Sequence, residues 1–323
     1  MAQISVIITV NMLIELALYV FAFILLWFGS GVIVNSIDHF TKRLRLSPFT
    51  ISFFILGLLT SIPEFAVGLT SVVEGKPEIF VGNLLGGAIV LFLLVIPLLA
   101  IIGNGIRINH DLSNLKMIVT LGTILAPALL ALDNKISNPE GVVLIVMYVM
   151  LFIILQKKGN LFTTLIKNKT ARSRKSGFII LKIIFGVILV TIASRLILDE
   201  TFYFANLFKI APFYVSLIAL SIGTNLPELS IAMRSILKGK KDIAFGDYMG
   251  SAAANTLLFG IFTLLNKGKA FYVHNFFITF LFMVGGLTVF FLFSRTKKDI
   301  SRREGIVLLS IYIFSIMAEL ILP

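Results

Sequence analysis

Along most of the chain, apolar residues run almost unbroken for long stretches, and the polar residues gather in short segments between them. A helix needs about 20 consecutive apolar residues to cross the hydrocarbon core of a bilayer, and these runs are long enough. The pattern predicts ten spans, at about 11–36, 48–73, 79–102, 117–132, 141–155, 178–198, 212–237, 243–265, 271–293 and 306–321. Pro48 suits the first turn of the second helix. That helix is interrupted near 60–63, and the segment EGKPE at 74–78 makes the turn into the third. The only long hydrophilic connection lies at 157–177 and is rich in Lys and Arg.

The chain then repeats itself. A shift of 164 positions lays Thr60, Pro63 and Glu64 on Thr224, Pro227 and Glu228 without a gap. The same shift superposes Pro48 on Pro212, Ser71 on Ser235, Gly75-Lys76 on Gly239-Lys240, Ile79 on Ile243, Gly82 on Gly246 and Gly86 on Gly250. Five spans per copy is an odd number, so the second copy must sit upside down relative to the first. The expected fold is therefore an all-α membrane protein of ten transmembrane helices in two inverted five-helix repeats. The repeats occupy 1–156 and 178–323, joined by a cytoplasmic basic linker at 157–177.

Charge placement tests this independently. Lys and Arg gather in alternate connections, while the opposite side holds only Lys76, Lys135, Lys209, Lys267 and Lys269. Basic loops stay inside, so both termini are expected outside, with KGKKD after Leu237 inside and EGKPE after Val73 outside.

Composition removes the main rivals. With 58% hydrophobic and 14% charged residues, the chain does not read as a pair of soluble domains. The net charge of +12 is spent on orientation, so no nucleic-acid partner is expected. The absence of cysteine excludes disulfides, thiolate metal sites and a cysteine nucleophile. His39, His110 and His274 make no metal-ligand spacing. The N-terminal stretch has no basic n-region and reads as running into the first span, not as a removed signal peptide. With no long regulatory insertion either, the expected location is a prokaryotic cell membrane.

The chemistry concentrates in the repeated motif. A charged side chain at bilayer depth costs about 2.5–3.5 kcal/mol on insertion scales, and Glu64 and Glu228 both stand in apolar runs, one residue after a proline. Each proline removes a helix donor and frees a carbonyl four residues back, at Leu59 and Gly223. Freed carbonyls at membrane depth persist where they line a cavity or find a partner. Thr60 and Glu64 are four apart, as are Thr224 and Glu228, so each pair shares a helix face beside the break. Two acids, free carbonyls and hydroxyls make a flexible all-oxygen shell suited to a hard cation. Gly82, Gly86 and Gly87, and Gly246 and Gly250, permit close helix approach, and Ser251 and Asn255 add oxygens at i, i+4.

Structural readings compete with this. A proline kink or a single intramembrane Glu is often only structural, but the same Thr-x-x-Pro-Glu twice at one offset argues against that. Asp247 either faces the ion path or sits at the cytoplasmic mouth. Arg195 near Asp199 and Glu200 reads as an ion pair or a snorkelling side chain, and Glu15 and Glu319 read as interfacial. The phenylalanines read as lipid-facing bulk.

TSIPE at 60–64 and GTNLPE at 223–228, each followed by GNLLGG at 82–87 or GDYMGS at 246–251, resemble the two alpha repeats of the sodium/calcium exchanger family. The resemblance covers essentially the whole chain, with the alpha motifs at 57–91 and 221–255. It implies alternating access in which Ca2+ and Na+ compete for sites at mid-membrane. By this resemblance Glu64 and Glu228 are the shared carboxylates of the calcium site, and Thr60 and Thr224 add main-chain carbonyls to it. Ser61 and Asn225 are sodium-site side chains, Gly57 and Ser221 are carbonyl donors, and Ser251 and Asn255 complete the second half. The chain departs from the family pattern at Gly87 and Leu91, where a hydroxyl and an amide or acid are usual, and at Asn225, where serine is usual. These departures leave open whether Na+ or H+ is the counter-ion.

The expected function is a secondary antiporter exchanging Ca2+ for Na+, with the first and sixth spans sliding against the rest. Its partners are inorganic cations and the lipid bilayer, and no cofactor or enzymatic activity is expected. A proton/calcium or other divalent antiporter on the same scaffold, and a degenerate transporter acting as a membrane sensor, remain alternatives.

Overall fold

The computed structural model describes residues 2–44, 48–75, 77–107, 113–133, 135–156, 174–207, 221–266, 271–272, 277–296 and 299–321, almost all of them helical. The basic linker at 157–173 and the start of the expected seventh span at 208–220 lie outside the described residues.

In chain order, α1 is Ala2–Leu44. The second span opens with α2 (Pro48–Ile51), passes through a π-helical turn at Ser52–Leu56, and continues as α3 (Gly57–Thr60). It breaks at Ser61 and resumes as α4 (Ile62–Glu74). The third span is α5 (Pro77–Val90), a π turn at Leu91–Val95, and α6 (Ile96–Ile102). Then come α7 (Asn114–Leu130) and α8 (Asn138–Gln156). The second half supplies α9 (Arg174–Leu207), α10 (Ser221–Thr224), α11 (Leu226–Leu237), α12 (Lys241–Leu265), α13 (Phe277–Thr296) and α14 (Arg302–Ile321). Eight of the spans are long and apolar enough to cross a membrane, counted among the described residues. The tenth expected span corresponds to α14, and the ninth begins at Phe277, later than the apolar pattern suggested.

The reason for that late start is a short strand. Phe271–Tyr272 (β3) pairs antiparallel with Lys135–Ile136 (β2), and Ile106–Arg107 (β1) pairs with Asp299–Ile300 (β4). The two ribbons flank α7, one before it and one after it. They also exchange under the repeat offset, since 107 + 164 = 271 and 136 + 164 = 300, to within one residue of register.

Two apolar clusters hold the helices. One joins α1 to α9, with Ala22, Leu26, Ile33 and Ile37 against Ile183, Val187 and Val190. The larger surrounds α12, whose residues 243–256 are all buried. The outward faces carry large apolar side chains, such as Leu13, Ile24, Phe28, Leu181 and Phe185, that a soluble protein would bury.

The broken helices end alike. Gly75 and Gly239 close α4 and the first turn after α11 with φ of 70° and 68°, in the left-handed region open to glycine. They are 164 apart.

Candidate cation site between the two broken helices

The break in each repeat has the same local cause. Pro63 and Pro227 stand in the first turn of α4 and α11, where a missing N–H costs little, and the residue before that turn leaves helical geometry. Ser61 has φ −76° and ψ 12°, and Asn225 has φ −95° and ψ 7°. The backbone bridges the first break through Ser61 N to Gly57 O and Phe65 N to Ser61 O, and the second through Asn225 N to Ile222 O and Leu229 N to Asn225 O. Each new helix thus starts at the break, with its acid, Glu64 or Glu228, in its first turn and its N-terminal dipole beside it.

Both glutamates are 0% exposed. Neither oxygen of Glu64 has a hydrogen-bond partner, nor does Oε2 of Glu228. Glu228 is the charge that acts on Glu64, so the two acids lie near each other. Thr224 lies near Glu64, and Thr60 lies near Glu228.

Helix α12 forms one wall. Its Ser251 hydroxyl donates to Oε1 of Glu228 at 2.7 Å and lies 3.1 Å from the hydroxyl of Ser61. The Ser61 hydroxyl also donates to the Gly57 carbonyl at 2.8 Å. Close contact explains the glycines here: a Cβ on Gly57 would fall 2.6 Å from the backbone nitrogen of Ser251, and one on Gly250 would strike the Phe53 carbonyl. Only two backbones without side chains can pass there.

Helix α5 forms a second wall. Asn83 accepts the Thr224 hydroxyl at 3.2 Å, and the Leu84 carbonyl accepts Nδ2 of Asn255 at 3.4 Å. Gly87 has no side chain to offer, and a Cβ there would lie 3.2 Å from the amide nitrogens of both Asn225 and Asn255. Leu91 is 0% exposed and belongs to the apolar core, so it gives the site no oxygen.

Glu64, Glu228, Thr60, Thr224, Ser61, Asn225, Ser251 and Asn255 are all buried around this junction, and Gly57 lines it through its carbonyl. Ser221 begins α10, and its side chain lies outside the described residues. Asp247, for which the sequence left two readings open, is 0% exposed and accepts the Thr60 hydroxyl at 3.3 Å, so it belongs to the cluster and not to a solvated mouth. Asn83 was the residue missed as a contributor. The 164-residue offset contained the signal, because it lays Asn83 on Asp247 just as it lays Thr60 on Thr224.

The oxygen donors gathered here suit a hard cation. Among the described residues, no group of three or more His, Cys, Asp or Glu side chains is arranged to hold a resident metal ion. Instead the acids Glu64, Glu228 and Asp247, with hydroxyls, amides and main-chain oxygens, surround one buried junction. Such oxygens suit Ca2+ or Na+ better than a transition metal.

The chain is similar to known proteins over most of its length. The sequence profile described as sodium/calcium exchanger protein matches residues 14–156 and 178–320. The inner membrane protein YrbG of Escherichia coli is 24% identical over 269 residues, covering 80% of this chain and 82% of that one. The sodium/calcium exchanger MaX1 of Methanosarcina acetivorans is 23% identical over 352 residues, covering 95% and 97%. Among solved structures, the sodium-calcium exchanger NCX_Mj soaked with 100 mM Na+ and 10 mM Sr2+ shares the fold, with a TM-score of 0.80 at 22% identity over 95% of this chain and 98% of that one.

Proposed function

The chain belongs to the sodium/calcium exchanger family, and from that premise we propose that it is an integral membrane antiporter moving Ca2+ against Na+ by alternating access. The observation that carries this reading is the pair Glu64 and Glu228, fully buried, mutually repelling and short of protein donors. An ionised carboxylate taken out of water costs several kcal/mol unless a counter-charge meets it. Two such acids together hold a divalent cation, or two monovalent ones, as their counter-charge. Release without replacement leaves the repulsion uncompensated, and that penalty ties the departure of one ion to the arrival of another.

The arrangement also supports an inverted ten-span plan. Thr60 with Asp247 and Thr224 with Asn83 are one contact written twice, at 3.3 and 3.2 Å. The two β ribbons exchange under the same offset and flank opposite ends of α7. In this plan both termini lie outside, the basic linker lies inside, and α1 and α9 slide as a pair against the bundle. The relative called an inner membrane protein fits a prokaryotic cell membrane as the location.

A proton as counter-ion is the second reading, favoured by Gly87 and Leu91, which supply no sodium ligands. Purified protein in liposomes decides between them. Ca2+ uptake driven by an outward Na+ gradient is expected, and it should be lost in both Glu64→Gln and Glu228→Gln. Uptake driven only by a pH gradient would assign the proton, and undiminished uptake in the two variants would sink the site.

A further inference from the structure

Asp247 occupies a position where a neutral amide would do the same structural work. Its Oδ1 accepts the Thr60 hydroxyl at 3.3 Å, and in the other repeat Oδ1 of Asn83 accepts the Thr224 hydroxyl at 3.2 Å. The frame uses the same atom on both sides. The atoms left over differ: Oδ2 of Asp247 and Nδ2 of Asn83, both buried and both without a hydrogen-bond partner. One side therefore turns a donor toward its surroundings and the other an acid oxygen. Packing does not require that difference.

Asp247 is 0% exposed, and no ion pair among the described residues involves it. Its neighbours instead compound the negative charge. Asp247 and Ser251 are four apart on one face of α12, and Ser251 holds Oε1 of Glu228 at 2.7 Å, which leaves Oε2 of Glu228 without a partner on the same wall. Glu228 is the charge that acts on Asp247, and the Thr60 hydroxyl approaches both. Thr60 can direct its single proton to the Leu56 carbonyl at 3.1 Å, which turns its lone pairs outward.

We propose that Oδ2 of Asp247, Oε2 of Glu228 and the Thr60 hydroxyl form a second cation position, on the α12 side of the cluster, beside the one shared by Glu64 and Glu228. The proposal rests on the antiport reading for the role of Glu228. Two acid oxygens and a hydroxyl select a hard cation, Ca2+ or Na+. The position gives this chain a binding oxygen in the second half where Gly87 and Leu91 supply none in the first. The site is lopsided as a result, with an acid at 247 facing an amide at 83.

Equilibrium binding of radioactive Ca2+ and Na+ to the purified full chain tests this, with Asp247→Asn, Asp247→Ala and Glu228→Gln compared. Asp247→Asn keeps the Thr60 bond, as Asn83 does, so thermal unfolding in detergent should match the parent. It is expected to bind one cation fewer at saturation, or to weaken one ion at least tenfold, and the ion affected identifies the occupant. Asp247→Ala should show the same binding loss. Parent-like binding in Asp247→Asn, with a loss only in Asp247→Ala, would assign Asp247 to the frame and overturn the proposal. Should Asp247→Asn fail to fold, Asn83→Asp carries the test: it should add a cation to the saturated protein, and an unchanged count overturns the idea. Parent-like binding in Glu228→Gln would instead reject the antiport site itself.

Discussion

The amide nitrogen of Asn225 stands 3.2 Å from the point a Cβ on Gly87 would occupy. Under the 164-residue offset the equivalent pair is Ser61 and Ser251, whose hydroxyls meet at 3.1 Å. One pair fills the space with two small hydroxyl side chains and the other with one larger amide opposite a glycine, each pair taking one residue from each repeat. The departures at Gly87 and Asn225 are thus a single steric exchange. Gly87→Ser alone should be destabilising, because its side chain meets the amides of Asn225 and Asn255. Asn225→Ser alone should open a void. Together they should recreate the hydroxyl pair, with a favourable coupling of about 0.5–3 kcal/mol in a double-mutant cycle. Chemical unfolding in detergent measures it, and additive effects of the two changes would refute the compensation.

This exchange marks where the sequence stopped being readable. The apolar runs, the offset of 164 and the two Pro-Glu pairs disclosed the helices and the acids, because hydropathy and repetition are properties of the chain itself. What Asn225 does depends on the absence of a side chain at Gly87, well over a hundred positions away and on another helix. Asp247 was ambiguous for the same reason, since depth along α12 follows from where Gly250 and Gly246 pack. The strand at Phe271–Tyr272 was lost inside an apolar run, because a two-residue ribbon leaves no periodic trace.

Repeat symmetry fails in another place that is easy to test. Gly246 and Gly82 are related by the offset, yet a Cβ on Gly246 would fall 2.6 Å from the Phe49 carbonyl, while one on Gly82 meets nothing within 4 Å. Gly246→Ala should therefore cost about 1–3 kcal/mol through overpacking against backbone that cannot yield. Gly82→Ala should be neutral or stabilising, by up to about 1 kcal/mol, since alanine is the better helix former. Unfolding midpoints for the two variants should shift in opposite directions, or only one should shift. Equal losses would show that both glycines sit at tight crossings.

Glu200 sits beyond the end of the sixth span, where it is 8% exposed and close to Glu15 and Asp199. Loss of hydration, then the charge of Glu15, raises its carboxyl above the usual value of 4.5. The sign follows directly. A carboxyl that titrates higher when folded favours the folded state below its unfolded value and loses that advantage as pH rises through its folded value. Glu200→Gln should therefore raise the melting temperature at neutral pH, with the gain shrinking as pH falls toward 4.5. A gain that persists unchanged in acid would point to packing instead of charge.

Three contacts fasten α1 to the end of α11 and the turn after it, all toward the side carrying KGKKD. The Arg234 guanidinium lies 4.5 Å over the Trp27 ring, Lys238 donates to Asn35 at 2.6 Å, and Lys240 pairs with Asp38 at 2.9 Å. A cation over an aromatic ring contributes about 0.5–2 kcal/mol, and a partly exposed ion pair about 0–1 kcal/mol. Contacts of that size can hold one state and still break thermally in every cycle. If α1 slides against the bundle during exchange, these contacts must open. The chain has no cysteine, so Asp38→Cys with Lys240→Cys gives a clean pair for a short thiol cross-linker. Cross-linked protein in liposomes should lose Ca2+ exchange while keeping cation binding, and a reducible linker should restore transport on cleavage. Full-rate exchange with the link closed would mean that α1 stays docked on α11 throughout the cycle.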